Sequence, residues 1–364
     1  MSSRRRIVEI AAGAAGIAVA GAALKVAHDS RVIARRGLGD ATRLGSLRSD
    51  PHTVVADDGV PLHVEVDPAE DTPSTGRRRG AKRRTQPPTL VFVHGYALNL
   101  DCWHFQRAAY RGLIRTVFYD QRSHGRSGRS SARNATIEDL GIDLLRIIEH
   151  EVPEGPVVLI GHSMGGMSIM SLAEQHPYLF GTKVVGVALI ATTAGGLNPQ
   201  RLFLPLLPSS VGGPVGLRLV AGLARGARAV DRLRQVGHGV AMVATDRYAF
   251  GDKVPATYVE FVDQMLSGTP FEVLAEFFPS FGSLDKYAVL TALGEVPTSI
   301  ICGTADRITP IELSHRLNEV VPGSSMLECD GAGHMVILER HEQVNAALDQ
   351  LIAAAQEHEA VGPA

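Results

Sequence analysis

Short apolar runs rich in β-branched residues recur over residues 89–190, and segments with apolar residues at helical spacing separate them. The runs begin at Thr89, Thr116, Val157 and Lys183. A short continuous apolar run bounded by turn residues is typical of a strand that is buried on both faces. Strands that alternate with helices predict a parallel α/β sheet.

The pattern differs on either side of this region. Residues 52–66 form two strand-like segments around an Asp-Asp-Gly turn and predict a hairpin. Residues 195–287 have apolar groups spaced as in helices and contain seven phenylalanines, so we predict a mainly helical insertion. Strand patterns return near Pro297 and Ser325, and a final helix is predicted from Glu339 to about residue 355.

These patterns divide the chain into five parts. They are an N-terminal hydrophobic segment and connector (1–50), the first part of the α/β core (51–194, with a loop at 67–88), the helical insertion (195–287), the second part of the core (288–356) and a tail (357–364).

The first part carries a hydrophobic segment of its own. Residues 7–27 follow three arginines and contain the ~20 residues that a membrane-spanning helix needs. Three interpretations stay open: a membrane anchor, which we favour, a cleaved export signal, and a helix packed on the domain. Basic residues on both flanks leave the side of the membrane undecided, and a cytoplasmic protein is the alternative.

Composition excludes several classes of protein. A net charge of −2 provides no overall field that attracts nucleic acid. Three cysteines do not make a disulfide framework, and no Cys-x-x-Cys or His-x-x-x-His spacing occurs. Cys302 and Cys329 lie in apolar, strand-like runs and are expected to be buried free thiols. We therefore expect no metal, no cofactor and no nucleic-acid partner.

Residues 77–84 contain six basic side chains in eight positions. A solvated loop is the usual meaning of such a run, and a patch for anionic lipid or another polyanion is the alternative. We favour the solvated loop because no aromatic residues are interleaved for stacking on bases.

The most informative motif lies at the end of the strand that begins at Val157. Residues 161–165 read GHSMG, the G-x-S-x-G pattern of a serine on a tight turn between a strand and a helix. Small residues two positions on either side of Ser163 let the strand and the helix pass closely. The backbone N–H of Met164 then lies at a helix start, where donors are free and the dipole favours negative charge. The alternative interpretation is a glycine-rich turn whose serine has no chemical role.

Two further chemical groups follow predicted strands later in the chain. Asp306 comes after PTSIICG, and His334 stands in the Gly-rich turn after the strand from Ser325. Asp285 and Asp330 are rival acids, but Asp306 ends a strand directly before a Thr-Pro pair that begins a helix. The order along the chain is therefore nucleophile, acid and histidine.

With these motifs the sequence resembles the α/β-hydrolase-fold serine hydrolases. The resemblance covers residues 52–355 and rests on five motifs in the correct order: His94-Gly95, DQRSHGRS from Asp120, the GHSMG turn, GTADRITP from Gly303 and GAGHMVILE from Gly331. It implies a mostly parallel, eight-stranded α/β sheet with helices on both faces and a helical cap insertion. The sequence departs from the family at Ser123, where glycine is usual.

The resemblance also implies the site residues: Ser163 as nucleophile, His334 as base, Asp306 as the acid that orients it, and the backbone N–H groups of Tyr96 and Met164 as the oxyanion hole. Such an arrangement has a physical reason, because a serine hydroxyl is a poor nucleophile at neutral pH without an adjacent base. His94 is expected to order the loop of Tyr96, and Asp120 to hold its own loop.

We predict a carboxylic ester hydrolase (EC 3.1.1, esterase- or lipase-like) that acts on a small, apolar or lipid-like ester. A cofactor-free perhydrolase resembling haloperoxidases, or a C–C bond hydrolase, would use the same three residues. A non-catalytic ligand-binding or membrane-tethered interaction protein is the alternative from another class. The oligomeric state is left open.

Overall fold

An eight-stranded sheet forms the centre of the protein. The computed structural model describes residues 25–37, 43–70, 87–197 and 238–361. The strands are β1 Pro51–Val55, β2 Pro61–Asp67, β3 Thr89–Val93, β4 Thr116–Tyr119, β5 Val157–His162, β6 Val184–Ile190, β7 Thr298–Gly303 and β8 Ser325–Cys329. Their order in the sheet is β1-β2-β4-β3-β5-β6-β7-β8. The pairs of β2 are antiparallel and all others are parallel, which confirms the predicted sheet.

Ten α-helices lie in the described part of the chain. They are α1 (residues 25–34), α2 His104–Tyr110, α3 Ile137–Glu151, α4 Met164–Gln175, α5 His238–Ala249, α6 Ala256–Gly268, α7 Phe271–Gly282, α8 Ile311–Val320, α9 Val336–Glu339 and α10 His341–Val361. The start of α3 shows how sequence sets these limits. The Thr136 hydroxyl accepts a 3.1 Å hydrogen bond from the Asp139 N–H and caps the helix.

Alternate residues of the buried strands supply two hydrophobic cores, one on each face of the sheet. Phe92 and Ile160 pack with Trp103 and with residues of α10, whereas Val91 and Leu159 pack with residues of α3 and α4. This follows from the two-residue period of a strand, because successive side chains point to opposite faces. Helices therefore cover both faces, as predicted.

The predicted insertion leaves and re-enters the core at one point. Gly195 and Asp285 form an isolated antiparallel bridge, and the Lys286 N–H donates to the Ala194 carbonyl at 2.7 Å. Between them the structure describes α5, α6 and α7, so this portion is helical. Residues 198–237 of the insertion, which include Phe203, lie outside the described residues.

The two ends of the chain differ from the sequence-based expectation. Residues 25–34 form a helix where a connector is predicted from residue 28, and the buried Ile33 packs in the core that contains Trp103. The last helix continues to Val361, so most of the predicted tail (357–364) is helical. Alanine and glutamate at these positions favour helix without any need for burial.

Three further predictions concern the hydrophobic segment, the basic run and the cysteines. No helix among the described residues has the length and apolar character to cross a bilayer. Most of the hydrophobic segment at 7–27, and the whole basic run at 77–84, lie outside the described residues. Cys302 and Cys329 are buried free thiols, as predicted, and so is Cys102.

Candidate active site

Ser163 lies on the turn between β5 and α4 in a backbone conformation that few residues other than glycine adopt. Its φ and ψ are 53° and −117°. The neighbouring strand β6 and the residues after it hold this turn from both sides. The Ser163 N–H donates to the Ile190 carbonyl at 2.9 Å, and the Thr192 hydroxyl donates to the Ser163 carbonyl at 2.6 Å. Hydrogen bonds to both backbone groups therefore maintain the strained position of the serine.

The glycines of the G-x-S-x-G motif are required by close approaches of backbone. A Cβ at Gly165 would lie 2.0 Å from the carbonyl oxygen of Val93 on β3. A Cβ at Gly161 would lie 2.6 Å from the backbone of Gly165 itself. Both contacts are far inside van der Waals distance, so α4 can begin directly against β3 and β5 only with glycine at these positions.

Asp306 and His334 are brought into direct contact at the ends of β7 and β8. The Nδ1 atom of His334 lies 2.9 Å from Oδ2 of Asp306, and both residues are buried. Asp306 Oδ1 accepts the N–H groups of Ile308 (2.8 Å) and Thr309 (2.9 Å). The rival acids Asp285 and Asp330 are exposed. Because Asp306 is an acceptor, Nδ1 of His334 carries the proton and Nε2 is left as the basic nitrogen.

The Thr309 side chain adds a second link within this pair. Its hydroxyl donates to Asp306 Oδ2 at 2.8 Å and lies 3.3 Å from His334 Nδ1. The carboxylate is therefore held by backbone and side-chain donors at once, which determines the direction in which it faces the imidazole.

His162 places the backbone of His334 against the serine turn, a role that the sequence does not indicate. Its Nε2 atom lies 2.9 Å from the carbonyl oxygen of His334, and the two rings are 4.9 Å apart. Burial, together with the neighbouring His334, lowers the pKa of His162 to about 3. His162 is thus a neutral donor at pH 7. Its partner is a backbone group 172 positions away, and no local pattern could reveal that.

The loop that carries Tyr96 lies against the same turn. A Cβ at Gly95 would be 3.1 Å from Cβ of Ser163 and 2.8 Å from a ring nitrogen of His162. Glycine at this position therefore lets the loop reach the serine. Met164 is the first residue of α4, so its N–H has no acceptor within the helix. The two N–H groups predicted for the oxyanion hole thus belong to segments that meet beside Ser163.

His94 orders this loop, as expected. Its Nε2 accepts the Gln121 N–H at 2.9 Å, and its Nδ1 donates to the Gly95 carbonyl at 2.8 Å. The Gln121 side chain donates to the His94 carbonyl at 2.6 Å. Burial lowers the pKa of His94 to about 4, so the imidazole is neutral and can serve as both donor and acceptor.

Asp120 holds its own loop, also as expected. Oδ1 accepts the Leu100 N–H at 2.7 Å, and Oδ2 accepts the Arg126 N–H at 2.8 Å. Within this loop Ser123 has a φ of 65°, the conformation that glycine would adopt in its place. Its hydroxyl accepts the Ser130 N–H at 3.0 Å and so links the two ends of the loop.

Glu339 supports the loop of His334 and was given no role from the sequence. Oε1 accepts the Gly333 N–H at 2.7 Å, and Oε2 accepts the N–H groups of Gly251 (3.0 Å) and Asp252 (3.2 Å). Burial raises the pKa of this carboxyl above its ordinary value. A glutamate at the end of the apolar run Val336–Glu339 was the available signal, because an acid in such a place needs partners.

Helix α7 of the insertion contacts the loop of Tyr96. The Tyr96 hydroxyl donates to the Leu274 carbonyl at 2.5 Å, and its ring meets Phe281 edge-on with centroids 5.0 Å apart. Phe281 and Phe277 share a buried cluster with Met164 and Met167 at the start of α4. The insertion therefore packs directly on the segments that surround Ser163.

Metal-ligating residues do not gather at this site in the described part of the chain. The one cluster of three such residues there consists of His52, His150 and Glu151. These residues lie at the start of β1, the outermost strand, and at the end of α3, whereas Ser163 follows β5 in the middle of the sheet.

Comparison with curated proteins gives distant relatives of differing descriptions. The acetyltransferase component of the acetoin cleaving system of Pseudomonas putida is 26% identical over 269 residues, which is 74% of this chain. This chain spans 64% of that protein's length. A putative non-heme haloperoxidase of Mycobacterium phage D29 is 28% identical over 228 residues, 61% of this chain and 73% of the phage protein.

Comparison with solved structures and with family profiles agrees with the fold described above. A thermophilic esterase from Thermogutta terrifontis superposes with a TM-score of 0.62 at 20% identity, covering 85% of this chain and all of the esterase. At that identity the likeness shows the fold alone. The profile of the alpha/beta hydrolase family matches residues 90–347, which include the serine turn, Asp306 and His334. Because this profile matches most of the chain and includes the serine turn and the acid–histidine pair, the chain is a member of the alpha/beta hydrolase family.

Proposed function

We propose that this protein hydrolyses a carboxylic ester through an acyl-serine intermediate on Ser163. The observation that carries the proposal is the acid–histidine pair beside the strained serine. Asp306 holds Nδ1 of His334 at 2.9 Å, while His162 ties the His334 backbone to the turn on which Ser163 has a φ of 53°. A structural role alone would not require a histidine, an acid and a strained serine in one place.

In the proposed mechanism Nε2 of His334 takes the proton of Ser163 as Oγ attacks the carbonyl carbon of the ester. The tetrahedral intermediate collapses, and His334 gives that proton to the departing alkoxide, which leaves as the alcohol. Water then attacks the acyl-serine and passes a proton to His334, which returns it to Ser163 as the carboxylic acid is released. Asp306 maintains the tautomer of His334 and stabilises the imidazolium in each step.

We assign the oxyanion to the backbone N–H groups of Met164 and Tyr96. The helix start at Met164 supports this assignment because backbone donors and the helix dipole both favour negative charge there. Loss of one such donor typically costs ~3 kcal/mol of transition-state stabilisation.

The side chains around the start of α4 support an apolar substrate. Met164 and Met167 belong to one buried cluster with Phe277 and Phe281 of α7, and Tyr96 packs against it. We expect this side of the site to receive the acyl chain, with α7 as part of a cap. Apolar walls with a few placed polar groups are usual for small-molecule sites.

A series of p-nitrophenyl esters with graded acyl length tests the proposal. Ser163→Ala should lower kcat by on the order of 10⁴-fold or more, because the residual rate comes from binding and the oxyanion donors. Ser171→Ala is the matched control, since Ser171 is buried on α4, the helix that follows Ser163, and its hydroxyl accepts a hydrogen bond from Gln175. A fluorophosphonate probe should label the wild type at Ser163. Full activity of Ser163→Ala would contradict the acyl-serine mechanism, and no labelling of the folded wild type would support a non-catalytic protein instead.

A perhydrolase is the second candidate, favoured by the similarity to the phage haloperoxidase. In that reaction hydrogen peroxide takes the place of water in attacking the acyl-serine and gives a peracid. The two functions separate when acetate and peroxide are supplied at high concentration. Peracid formation faster than ester hydrolysis would identify the perhydrolase.

We also propose that residues 7–27 hold the protein at a membrane, on the basis of their composition and length. Removal of residues 1–24 should move the protein from the membrane fraction to the supernatant with its esterase activity retained. The truncated chain keeps the whole of α1, in which Ile33 is buried. Loss of folding would instead make the hydrophobic segment part of the domain. An unchanged distribution between fractions would contradict the anchor.

A further inference from the structure

Two imidazoles and a carboxylate converge at the start of the outermost strand of the sheet, away from Ser163, which follows the central strand β5. Nε2 of His52 lies 2.5 Å from Oε1 of Glu151, and Nδ1 of His150 lies 2.9 Å from the same oxygen. The three donor atoms lie within 4.8 Å of one another. His52 belongs to β1, and the other two residues end α3, so the cluster joins two separate elements.

The carboxylate of this cluster is oriented by a neighbouring side chain before any ion binds. The Glu151 side chain is only 6% exposed, and its other oxygen, Oε2, accepts a hydrogen bond from Arg115 at 3.4 Å. Arg115 therefore turns Oε1 toward the two histidines. A carboxylate oriented in this way by a second group is typical of metal ligands.

We propose that His52, His150 and Glu151 form a binding site for a zinc ion. Two imidazoles and one carboxylate are a ligand set that zinc takes, with water in the remaining position. Imidazole ligands also favour zinc over calcium and magnesium, which prefer sites made of oxygen atoms.

Only small movements are needed to accommodate the ion. Zinc–ligand bonds of about 2.0–2.1 Å at tetrahedral angles place neighbouring ligand atoms roughly 3.3 Å apart. The present separations from Oε1 are 2.5 and 2.9 Å, and the two imidazole nitrogens lie within 4.8 Å of each other. No separation therefore differs by more than about 1.5 Å from the spacing that zinc requires. The side chains of His52 and His150 are 39% and 59% exposed and can rotate, whereas Glu151 remains as the buried fixed point.

The expected consequence is a link between the edge strand and the sheet's helical layer. Among the described strands β1 pairs only with β2, because it is the outermost strand of the sheet. A metal bound to β1 and α3 together would hold that strand against the helix. Zinc should therefore raise the melting temperature of the full-length protein without contact with the ester-cleaving site.

Titration calorimetry of the chelator-treated, full-length protein with zinc chloride tests the site. We expect one zinc per chain in the wild type, at least tenfold weaker binding in His52→Ala, and loss of binding in the His52→Ala/His150→Ala double variant. His315→Ala is the matched control, because exposed His315 lies 3.0 Å from exposed Glu328 in a pair that resembles half of this cluster. That variant should bind zinc as the wild type does.

Cobalt(II) supplies an independent readout, since its visible absorption reports imidazole coordination. The wild type and His315→Ala should develop the absorption band on addition of cobalt, and the double variant should not. Calcium should give no heat of binding. No zinc binding by the wild type, or equal zinc binding by the double variant, would overturn the proposal. Esterase activity takes no part in these measurements, so their outcome is independent of the proposed function.

Discussion

Ser123 shows how one side chain can offset a backbone cost. Its φ of 65° lies in the left-handed region, which costs a residue other than glycine roughly 1–2 kcal/mol. The hydroxyl accepts the Ser130 N–H at 3.0 Å and lies 3.1 Å from the Ser130 hydroxyl, all in a buried loop. A buried N–H that loses its acceptor costs about 1–3 kcal/mol. The two effects are similar in size, which explains why serine is accepted here.

This balance predicts the ranking of two variants. Ser123→Ala keeps the backbone strain and loses the hydrogen bond, so its free energy of unfolding should fall by about 2 kcal/mol. Ser123→Gly loses the same bond but relieves the strain, so it should be more stable than the alanine variant by about 1 kcal/mol. Urea denaturation of the three proteins measures both differences. An alanine variant as stable as the glycine variant would show that the conformation of residue 123 carries no strain.

The site residues differ in how far the sequence predicts them, for a physical reason. Ser163, Asp306 and His334 each follow a strand and sit in a turn of unusual composition, so local pattern and chain order both indicate them. His162 and Glu339 act on the backbone of residues that only the fold brings near. The carbonyl that His162 binds is 172 positions away and leaves no mark on the residues beside it. For Glu339 the acid at the end of an apolar run was a signal, but it does not say which backbone groups the acid binds.

At the scale of elements, two of the polar links between α7 and the core differ in burial. The Tyr96 hydroxyl donates to the Leu274 carbonyl in a partly buried place next to the proposed oxyanion hole. Arg129 forms two hydrogen bonds with Glu276 at 2.8 and 3.0 Å, but this ion pair is exposed. Exposed ion pairs contribute about 0–1 kcal/mol, so the tyrosine link should matter more for the position of the loop.

Tyr96→Phe removes only the hydroxyl and keeps the backbone N–H that the mechanism uses. We expect a stability loss of about 1 kcal/mol and a several-fold fall in kcat/KM, because the loop is then less well held beside Ser163. Glu276→Gln on α7, the helix that Tyr96 contacts, is the control and should leave kcat/KM unchanged. Steady-state ester hydrolysis by both variants measures the effect. Equal kinetics of Tyr96→Phe and the wild type would exclude the hydrogen bond to Leu274 as a support of that loop.

The elements themselves were predicted best where burial is strongest. All eight strands were found from apolar runs and the hairpin pattern, since a strand within a covered sheet must be apolar on both faces. The last helix was predicted to begin at Glu339, so the short helix α9 was missed and the start of α10 was placed two residues early. The two helices are divided at Arg340, whose φ and ψ are −130° and 40°, and nothing in a run of helix-forming residues indicates such a break. Helix α1 was missed because its one buried anchor, Ile33, stands alone in a basic segment.

At the scale of the whole molecule, α1 joins the N-terminal region to the insertion. Ser30 donates to the Gly239 carbonyl at 2.9 Å, and the Arg36 guanidinium pairs with Asp246 on α5. Residues 25–36 therefore belong to the folded domain. If residues 7–27 attach the protein to a membrane, the helix α1 that continues from them lies against α5. The insertion would then be the part of the enzyme nearest to the membrane surface. This arrangement agrees with an apolar ester as substrate.

Buried neutral histidines make the stability of the molecule depend on pH in a predictable direction. Burial, with a contribution from nearby His94, lowers the pKa of His124 to about 3, whereas an imidazole in the unfolded chain has a pKa of about 6.5. Between these values the unfolded state binds a proton that the folded state does not. His124 therefore lowers the free energy of unfolding as the pH falls from 7. Its contribution is about 1.4 kcal/mol per pH unit once the pH is below 6.5.

The variant His124→Asn isolates this contribution from those of the other buried groups. Asparagine can still donate to the Arg122 carbonyl, which the His124 Nδ1 contacts at 2.9 Å, but it does not titrate. The loss of stability between pH 7 and pH 5 should therefore be about 2 kcal/mol smaller in the variant than in the wild type, as measured by urea denaturation at both pH values. His358→Asn, at an exposed position of α10, should leave the pH dependence of the wild type unchanged. If His124→Asn loses as much stability as the wild type over this range, the imidazole of residue 124 already accepts a proton in the folded protein, and its surroundings must then admit water.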